Sequence, residues 1–245
     1  MDLHLQGKTA LVTGAGSQIG YGKGIVMTLA AEGCNIVAAD IDLDGARQTA
    51  AAAESEGVQA IALQADVADR AQVDEMVRAA VDRFDHIDIL VNNAGTSSRL
   101  KPFVDMTRED WDTDIQVNLY GQMNVAQAVL SHMIERKYGR IINFSGGRGI
   151  PNISIYGAAK AGIMAFSEAL AREVAAHGVI VNVLGPGLGE TGLTSHAPRE
   201  FLDQNRQRST LKRLCTPEDV GPAVAFLASD VCSYMTGQFI QLSTF

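Results

Sequence analysis

The feature that most constrains this chain is a glycine-rich turn between a short β-branched run, Thr9–Thr13, and a helical pattern, Lys23–Glu32. Glycine at Gly14, Gly20 and Gly22 permits a tight turn, close approach of the backbone to a pyrophosphate, and close packing of the helix on a sheet. The amino terminus of the helix then faces the phosphates. An ordinary strand-helix turn is the alternative, but an acidic residue about 20 residues further on completes the pattern of a dinucleotide site.

Strand-like segments alternate with longer helical patterns along the whole chain. Apolar residues follow helical spacing from Val73 to Phe84 and from Asp112 to Arg136. This alternation predicts a single α/β domain over residues 1–245, built as a doubly wound, Rossmann-type parallel sheet of seven strands with helices on both faces. Ligands of such sheets bind at the carboxyl ends of the strands. The predicted strands are Thr9–Thr13, Asn35–Asp40, Gln59–Gln64, Ile87–Val91, Arg140–Phe144, Val179–Val183 and Gln238–Leu242.

The composition argues against several classes of function. The net charge of −8 argues against a nucleic-acid surface, which needs clustered Lys and Arg. The three cysteines are odd in number and lack a Cys-x-x-Cys pattern, and the five histidines show no metal-binding spacing, so we expect neither a disulfide framework nor a metal site. The sequence shows no signal peptide and no membrane-spanning stretch, so we expect a cytoplasmic protein without a membrane partner.

Asp40 ends the second predicted strand and bears on which dinucleotide binds. A carboxylate at this point can accept hydrogen bonds from both ribose hydroxyls of NAD, whereas the 2′-phosphate of NADP would meet like charge. No Arg or Lys stands beside Asp40 or at Gly16-Ser17 to pair that phosphate. NAD is therefore favoured over NADP. In the alternative interpretation, Asp40 caps the following turn and Asp42 takes its role.

Tyr156 and Lys160 lie four residues apart in a run of small residues that begins at Ser154. On a helix this spacing stacks the two side chains on one face. A nearby ammonium favours the phenolate and pulls the tyrosine pKa from about 10 towards neutrality. Such a tyrosine can exchange a proton with a substrate oxygen. Because exposed helices often carry this pair by chance, its meaning depends on the other motifs.

Together these motifs resemble the classical short-chain dehydrogenase/reductase family over essentially the whole chain. The resemblance assigns Asp66-Val67 to the border of the adenine and Asn93, in Asn92-Asn-Ala-Gly95, to the cofactor ribose. Two extra residues lie between Gly14 and the Gly-x-Gly of the loop. A helix cap at Asp66 and a simple turn at Asn92–Gly95 are the alternatives. The implied cofactor contacts are Gly14, Ser17, Gly20, Tyr21, Gly22, Asp40, Asp66, Val67, Asn93, Gly95, Tyr156, Lys160, Gly189 and Thr191.

The resemblance also implies a catalytic set of Asn118, Ser145, Tyr156 and Lys160. A buried amide must be hydrogen-bonded, so Asn118 is expected to distort its helix and to hold a water that relays protons to Lys160; a helix-helix hydrogen bond is the alternative.

The family usually shows two small polar residues after the fifth strand, with the catalytic serine second, and that second position is Gly146 here. Ser145 is therefore assigned to the substrate oxygen, where a hydroxyl stabilises alkoxide character, and Ser154 is an outside alternative.

The segment after the sixth strand resembles the family's Pro-Gly segment. The main chain near Gly189 and the hydroxyl of Thr191 would hold the nicotinamide carboxamide and the pyrophosphate, which orients the ring. Residues from about 190 to 212 resemble a lid over the substrate. Its polar residues Glu190, His196 and Arg199 are possible substrate contacts, although solvated lid positions are the preferred interpretation.

Subunit contacts are a further implication of the resemblance. The helices from Asp112 and Ser154 are those that this family packs against a neighbouring subunit, so a homo-oligomer, tetramer or dimer, is implied. The closing Ser243–Phe245 replaces the family's usual Val-Asp-Gly-Gly continuation, which bears on the contacts made by that tail.

We therefore predict an oxidoreductase that transfers a hydride between NAD(H) and a secondary alcohol or its ketone, with Tyr156 as general acid and base. Such an enzyme is an NAD-dependent alcohol dehydrogenase or carbonyl reductase. One alternative is an NADPH-dependent 3-oxoacyl-thioester reductase, although no clear basic patch for an acyl-carrier partner is present. Another is a catalytically silent NAD-binding sensor, which Gly146 and the altered tail would suit. The substrate and the direction do not follow from the sequence, because the lid has no readable code.

Overall fold

A seven-stranded parallel sheet forms the centre of the computed structural model, which describes residues 2–97, 100–195 and 197–242. The strand order is β3-β2-β1-β4-β5-β6-β7, and every neighbouring pair is parallel. This confirms the predicted doubly wound, Rossmann-type sheet. The strands are β1 (Thr9–Thr13), β2 (Asn35–Asp40), β3 (Ala60–Gln64), β4 (Ile89–Asn92), β5 (Gly139–Phe144), β6 (Val179–Gly185) and β7 (Phe239–Gln241).

Helices cover both faces of the sheet, as predicted. Buried apolar side chains of α1, α2 and α8 pack on one face, and those of α3, α5 and α6 pack on the other. The α-helices are α1 (Tyr21–Ala31), α2 (Leu43–Glu54), α3 (Arg70–Phe84), α4 (Arg108–Ile115), α5 (Gln122–Arg136), α6 (Ser154–Val174), α7 (Arg199–Arg208) and α8 (Pro217–Ala228). None of the helices in the described ranges is long and apolar enough to cross a membrane.

Side-chain caps explain where several helices begin. Asp42 caps α2 by accepting a hydrogen bond from Gly45 N at 3.1 Å. Asp69 caps α3, so the helix-cap alternative for Asp66 is wrong. A capping box of Thr107 and Asp110 starts α4, which explains why the helix begins before the predicted Asp112.

The predicted continuous helix from Asp112 to Arg136 is interrupted. A π-helical segment, Gln116–Gly121, separates α4 from α5 and contains Asn118. Single π turns inside helices are often found at functional sites. The expected distortion of the helix at Asn118 is therefore confirmed.

The predicted site residues gather at the carboxyl edge of the sheet. The chain order reverses between β1 and its neighbour β4, and this switch point opens the crevice in which doubly wound proteins bind ligands. The glycine-rich turn follows β1, Asn93–Gly95 follows β4, and Ser145 follows β5. The fold thus brings residues that are distant in sequence to one edge.

Candidate active site

The glycine loop after β1 is packed too tightly for side chains. A Cβ atom on Gly22 would collide with the main-chain oxygen of Gly14, and one on Gly14 would lie 2.8 Å from Cα of Ala94. Gly14 also has a φ of +69°, a left-handed conformation that favours glycine. The loop therefore presents backbone, as a pyrophosphate site requires.

Asn93 holds this loop in place from the end of β4. Its Nδ2 donates hydrogen bonds to the main-chain oxygens of Thr13 and Gly14, both at 3.0 Å. The main-chain N–H of Ala94 donates to Thr13 Oγ1 at 3.1 Å. These long-range bonds give Asn92–Gly95 a role beyond a simple turn, while the predicted ribose contact of Asn93 remains a prediction.

Asp40 and Asp42 have separate roles. Asp40 Oδ2 accepts a hydrogen bond from Gly16 N at 2.7 Å, and Asp40 Oδ1 accepts from Asp42 N at 2.9 Å. A Cβ on Gly16 would lie 2.8 Å from Cγ of Asp40, so the carboxylate rests directly on the glycine loop. Asp40 forms no ion pair with any residue that the structure describes.

Tyr21 links the glycine loop to the segment after β6. Its hydroxyl donates to the main-chain oxygen of Gly187 at 3.3 Å and also blocks the space that a Cβ on Gly189 would need. Burial raises the pKa of Tyr21 well above its usual range, so the phenol is a neutral donor. Its neighbour Gly20 is the N-cap residue of α1 and donates to the main-chain oxygen of Ser17 at 3.1 Å.

Asp66 and Val67 connect the end of β3 to the distorted helix. Asp66 Oδ1 accepts a hydrogen bond from Ala68 N at 2.9 Å, and Asn124 Nδ2 donates to the main-chain oxygen of Val67 at 3.0 Å. A Cβ on Gly121 would lie 2.7 Å from Cγ2 of Val67. The pair thus lies at the π segment, and its contact with the adenine stays a prediction.

Tyr156 and Lys160 share one face of α6, as predicted. Lys160 Nζ lies 5.7 Å from the centroid of the Tyr156 ring and donates to the main-chain oxygen of Phe144 at 3.2 Å. Burial, with a smaller contribution from the charge of Asp114, raises the pKa of Tyr156 to about 12. Burial also lowers the pKa of Lys160 to about 8. The predicted lowering of the tyrosine pKa is therefore corrected, since burial of the phenol outweighs the nearby ammonium.

Asn118 is fully buried and fully bonded within the π segment. Its Oδ1 accepts from Thr96 N at 3.3 Å, and its Nδ2 donates to the main-chain oxygens of Thr96 and Asp114 at 2.7 and 2.9 Å. A Cβ on Gly95 would lie 3.0 Å from this Oδ1 and 3.5 Å from Lys160 Nζ, so Gly95 lies beside both groups. The alternative of a helix-helix bond is wrong, because the partners are a loop residue and Asp114 at the end of the preceding helix.

Ser145 lies behind Lys160 at the end of β5 and is 3% exposed. Its hydroxyl donates to the main-chain oxygen of Lys160 at 2.7 Å, so its proton is directed at the backbone of α6. A Cβ on Gly146 would meet no atom within 4 Å, so this position faces open space. Ser154 is exposed, with Oγ 3.9 Å from Sδ of Met106. A contact of Ser145 with the substrate oxygen remains a prediction.

The lid is tied to the predicted nicotinamide segment by ion pairs. Glu190 lies between two arginines of α7, with Arg206 Nη2 at 2.7 Å and Arg199 Nη1 at 3.4 Å. Thr194 Oγ1 donates to the main-chain oxygen of Gly189 at 2.7 Å and accepts from the N–H of Thr191 at 2.9 Å.

These ion pairs give Glu190 and Arg199 protein partners, while His196 and the closing Ser243–Phe245 lie outside the described residues. Among the described residues, no group of three or more His, Cys, Asp and Glu could hold a metal ion.

Comparison with known proteins decides the family. A family model described as enoyl-(acyl carrier protein) reductase matches residues 14–243. The chain belongs to the short-chain dehydrogenase/reductase family. The resemblance noted from the motifs is thereby confirmed.

Several relatives match this short-chain dehydrogenase/reductase over nearly their whole length. A 3-oxoacyl-(acyl-carrier-protein) reductase from Thermotoga maritima is 38% identical over 241 residues, which cover 97% of each chain. A (2S)-((R)-hydroxy(phenyl)methyl)succinyl-CoA dehydrogenase subunit from Thauera aromatica is 36% identical and covers 96% of this chain and 95% of the relative.

Solved structures of similar proteins have the same fold as this chain. A protein described as a short-chain alcohol dehydrogenase from Sinorhizobium meliloti 1021 superposes with a TM-score of 0.92 at 34% identity, covering 99% of this chain and 97% of that one. Levodione reductase gives a TM-score of 0.92 at 30% identity, with coverage of 97% and 96%.

The family implies a nicotinamide dinucleotide, and the residues of this short-chain dehydrogenase/reductase fit that group. Side chains are excluded at Gly14 and Gly22, where a Cβ would collide with the protein, so this part of the loop offers main-chain groups to a pyrophosphate. The first turn of α1 carries no acidic residue, so its amino terminus can receive phosphates. Asp40 supplies two carboxylate oxygens beside the loop.

Gln122 is the site residue that the sequence reasoning missed. It is 2% exposed and bonds to the main chain of both Asn118 and Phe144. The sequence does carry a signal, because Gln122 follows Asn118 by four residues, which places two amides on one helix face. In the predicted amphipathic helix, however, Gln122 reads as one more polar surface residue.

Proposed function

We propose that this short-chain dehydrogenase/reductase is an NAD-dependent oxidoreductase that interconverts a secondary alcohol and its ketone. The observation that carries the choice of NAD is Asp40, which rests on the glycine loop and has no cationic partner among the described residues. A carboxylate so placed suits two ribose hydroxyls and opposes a 2′-phosphate by like charge.

Tyr156 carries the proton in this proposal. It would give a proton to the ketone oxygen during reduction and remove it from the alcohol during oxidation. The dinucleotide, when bound, would supply the hydride in reduction and accept it in oxidation. Lys160, 5.7 Å from the ring centroid, stabilises the phenolate form by its positive charge. Burial disfavours both the phenolate of Tyr156 and the ammonium of Lys160, so each charged form is stabilised by the opposite charge on the other residue.

The remaining predicted residues have supporting roles. The glycine loop and the amino terminus of α1 would hold the pyrophosphate, and the segment at Gly189 and Thr191 would orient the nicotinamide. Asn118 would organise the proton relay to Lys160. Ser145 stays our candidate for polarising the substrate oxygen, and for this its hydroxyl must leave the carbonyl of Lys160.

A second candidate is an NADPH-dependent reductase of 3-oxoacyl thioesters. It is favoured by the relatives that carry the name 3-oxoacyl-(acyl-carrier-protein) reductase, such as the one from Thermotoga maritima and one from Staphylococcus epidermidis that is 37% identical. Asp40 and the net charge of −8 weigh against it, because NADPH and an acyl-carrier protein would both meet negative charge.

We further propose that the enzyme is a homo-oligomer, dimer or tetramer, of the cytoplasm. Exposed apolar side chains near α4 and the π segment support the first point: Phe103 is 55% exposed, Val104 87% and Tyr120 46%. The free thiols of all three cysteines suit the reducing cytoplasm. Light scattering of the purified protein tests the assembly, and a monomer at micromolar concentration contradicts it.

The deciding experiment screens the purified protein with NAD and with NADP against secondary alcohols, hydroxy acids, sugars and steroids. A second arm offers 3-oxoacyl thioesters with NADH and NADPH. Absorbance of the reduced nicotinamide is the readout, and Tyr156→Phe is the control. Turnover with NAD that Tyr156→Phe abolishes while NAD binding persists supports the proposal. Preference for NADPH with a thioester favours the second candidate, and dinucleotide binding without turnover favours the silent sensor.

A further inference from the structure

Gln122 is a buried amide at the start of α5 that none of the roles above uses. Its side-chain groups are all bonded. Nε2 donates to the main-chain oxygens of Asn118 at 3.2 Å and of Phe144 at 2.9 Å. Oε1 accepts from the main-chain N–H of Phe144 at 3.0 Å. A buried amide whose polar groups are all hydrogen-bonded is held in one orientation.

The end of β4 explains why Phe144 needs this partner. The last paired residues of β4 and β5 are Asn92 and Asn143. Ser145 N bonds to Leu184 of β6, so Phe144, one residue earlier, directs its N–H and C=O to the β4 side, where β4 has ended. The side chain of Gln122 takes the place of the next β4 residue.

The same carbonyl of Phe144 receives the catalytic ammonium. Lys160 Nζ donates to it at 3.2 Å, so this oxygen accepts one bond from Lys160 and one from Gln122. Gln122 also holds the main-chain oxygen of Asn118 in the π segment. One amide therefore joins the distorted helix, the end of β5 and the ammonium of Lys160.

We propose that Gln122 is a positioning residue of the active site: it fixes the Phe144 carbonyl that anchors the Lys160 ammonium, and through that ammonium it sets the electrostatic field at Tyr156. Gln122 acts through Phe144 and Lys160. The part of the inference that concerns turnover rests on the proposed function, whereas the part that concerns Lys160 does not.

The surroundings of Lys160 determine the direction of the effect. The described titratable groups that act on the pair are Tyr156 on the same helix, Asp114 on α4 and Tyr21 on α1. Burial is the cause that lowers the Lys160 pKa. Replacing Gln122 by an apolar side chain removes the partner of the Phe144 N–H and leaves the Phe144 carbonyl to Lys160, which draws water towards the ammonium and frees the Phe144 oxygen for it. Both changes raise the Lys160 pKa.

The first test needs no substrate. The titration of Lys160 is followed by NMR of protein labelled at the lysine Cε carbons, with Lys160→Gln to assign the signal. Gln122→Met is compared with Gln116→Met, an exposed glutamine of the π segment. We expect the Lys160 midpoint to rise by about one pH unit in Gln122→Met and to stay unchanged in Gln116→Met. An unchanged midpoint in Gln122→Met overturns the proposal.

A second variant covers the case in which Gln122→Met does not fold. Gln122→Asn keeps an amide but withdraws it by one methylene, beyond reach of Phe144. The same upward displacement of the Lys160 midpoint is expected, and its absence again contradicts the proposal.

The turnover test follows once the wild type shows activity in the screen. We expect Gln122→Met to lower kcat about tenfold with little change in KM for NAD, because the Phe144 carbonyl no longer holds the ammonium at one position. The pH of half-maximal alcohol oxidation should move downward, because a Lys160 with a raised pKa stays charged to higher pH and favours the phenolate of Tyr156. Loss of thermal stability with an unchanged pH profile would show a merely structural role. If the wild type converts no substrate of the screen, the proposed function fails. The NMR titration then still tests whether Gln122 positions Lys160.

Discussion

The hydroxyl of Ser145 donates a hydrogen bond to the main-chain oxygen of Lys160 at 2.7 Å. This bond joins the end of β5 to the helix that carries Tyr156. It also engages the proton that a substrate oxygen would need. Gly146 leaves open space at the adjacent position, where the family usually has its catalytic serine.

Ser145→Ala tests whether this hydroxyl serves the substrate. If Ser145 polarises the substrate oxygen, kcat should fall about a hundredfold, because a lost donor to a developing alkoxide has an effect of this size. Gly146→Ser is not expected to restore the activity, because Gly146 has a φ of +158°, a conformation that side chains rarely adopt, even though a Cβ there meets no atom within 4 Å. Steady-state kinetics of wild type and Ser145→Ala give the answer. A decrease in kcat of less than threefold in Ser145→Ala would mean that Ser145 only holds α6 in place and does not act on the substrate.

Asp40→Ala should weaken the preference for NAD. The variant loses the acceptor of the ribose hydroxyls and the charge that opposes a 2′-phosphate, so the ratio of kcat/KM for NAD over NADP should fall about a hundredfold. Asp42→Ala is the matched control, because Asp42 caps α2 and should affect stability without affecting selectivity. Equal ratios in wild type and Asp40→Ala would remove the argument for NAD.

Lys160→Met should stabilise the fold at neutral pH. The folded-state pKa of Lys160 is lowered to about 8 from 10.5, so the folded protein binds fewer protons than the unfolded chain between these values. Wild-type stability should therefore rise with pH between about 8 and 10.5 and carry its full penalty below 8. The difference in unfolding free energy between Lys160→Met and wild type should be on the order of 3 kcal/mol at pH 7 and shrink by pH 10.

Urea denaturation of both proteins at pH 7, 8.5 and 10 measures this difference. Comparing the two proteins at each pH cancels the titration of groups remote from Lys160, such as Cys34, whose pKa burial raises to about 12. A difference that does not change with pH would show that Lys160 is not desolvated as described.

Glu190→Gln should loosen the lid. The change removes the anion that lies between Arg199 and Arg206, so α7 should separate more readily from the segment at Thr191. Limited proteolysis within α7 should be faster than in wild type at low salt, and the difference should vanish at high salt because the groups are exposed. Glu200→Gln, also on α7, is the control. Equal cleavage of Glu190→Gln and wild type at low salt would contradict the lid assignment.

Local sequence patterns were sufficient to predict the sheet and the bounds of several strands. The observed bounds of β1 and β2 coincide with the predicted Thr9–Thr13 and Asn35–Asp40, because these strands are buried and end at turn residues. β4 begins at Ile89 instead of Ile87, because Asp88 is engaged with Thr9 through its carboxylate as well as its backbone. Segments whose boundary depends on a tertiary contact were less predictable.

Tertiary contacts also explain what the sequence could not show in the site. Tyr21 reaches Gly187 across 166 residues, and Gln122 reaches Phe144 across 22 residues, and neither pairing has a local signature. The pKa of Tyr156 rises because of its burial, which depends on the packing of α6. The spacing of Tyr156 and Lys160 showed that the two groups meet, but it could not show how dry their surroundings are.

The bonds from Asn93 to the loop carbonyls have a consequence for how a nucleotide is captured. These contacts within the protein already hold the loop in one conformation, so the loop loses little conformational entropy when the nucleotide binds. The phosphates should therefore bind to a loop that does not change its conformation. Most of the conformational change on binding should be confined to α7 and its ion pairs.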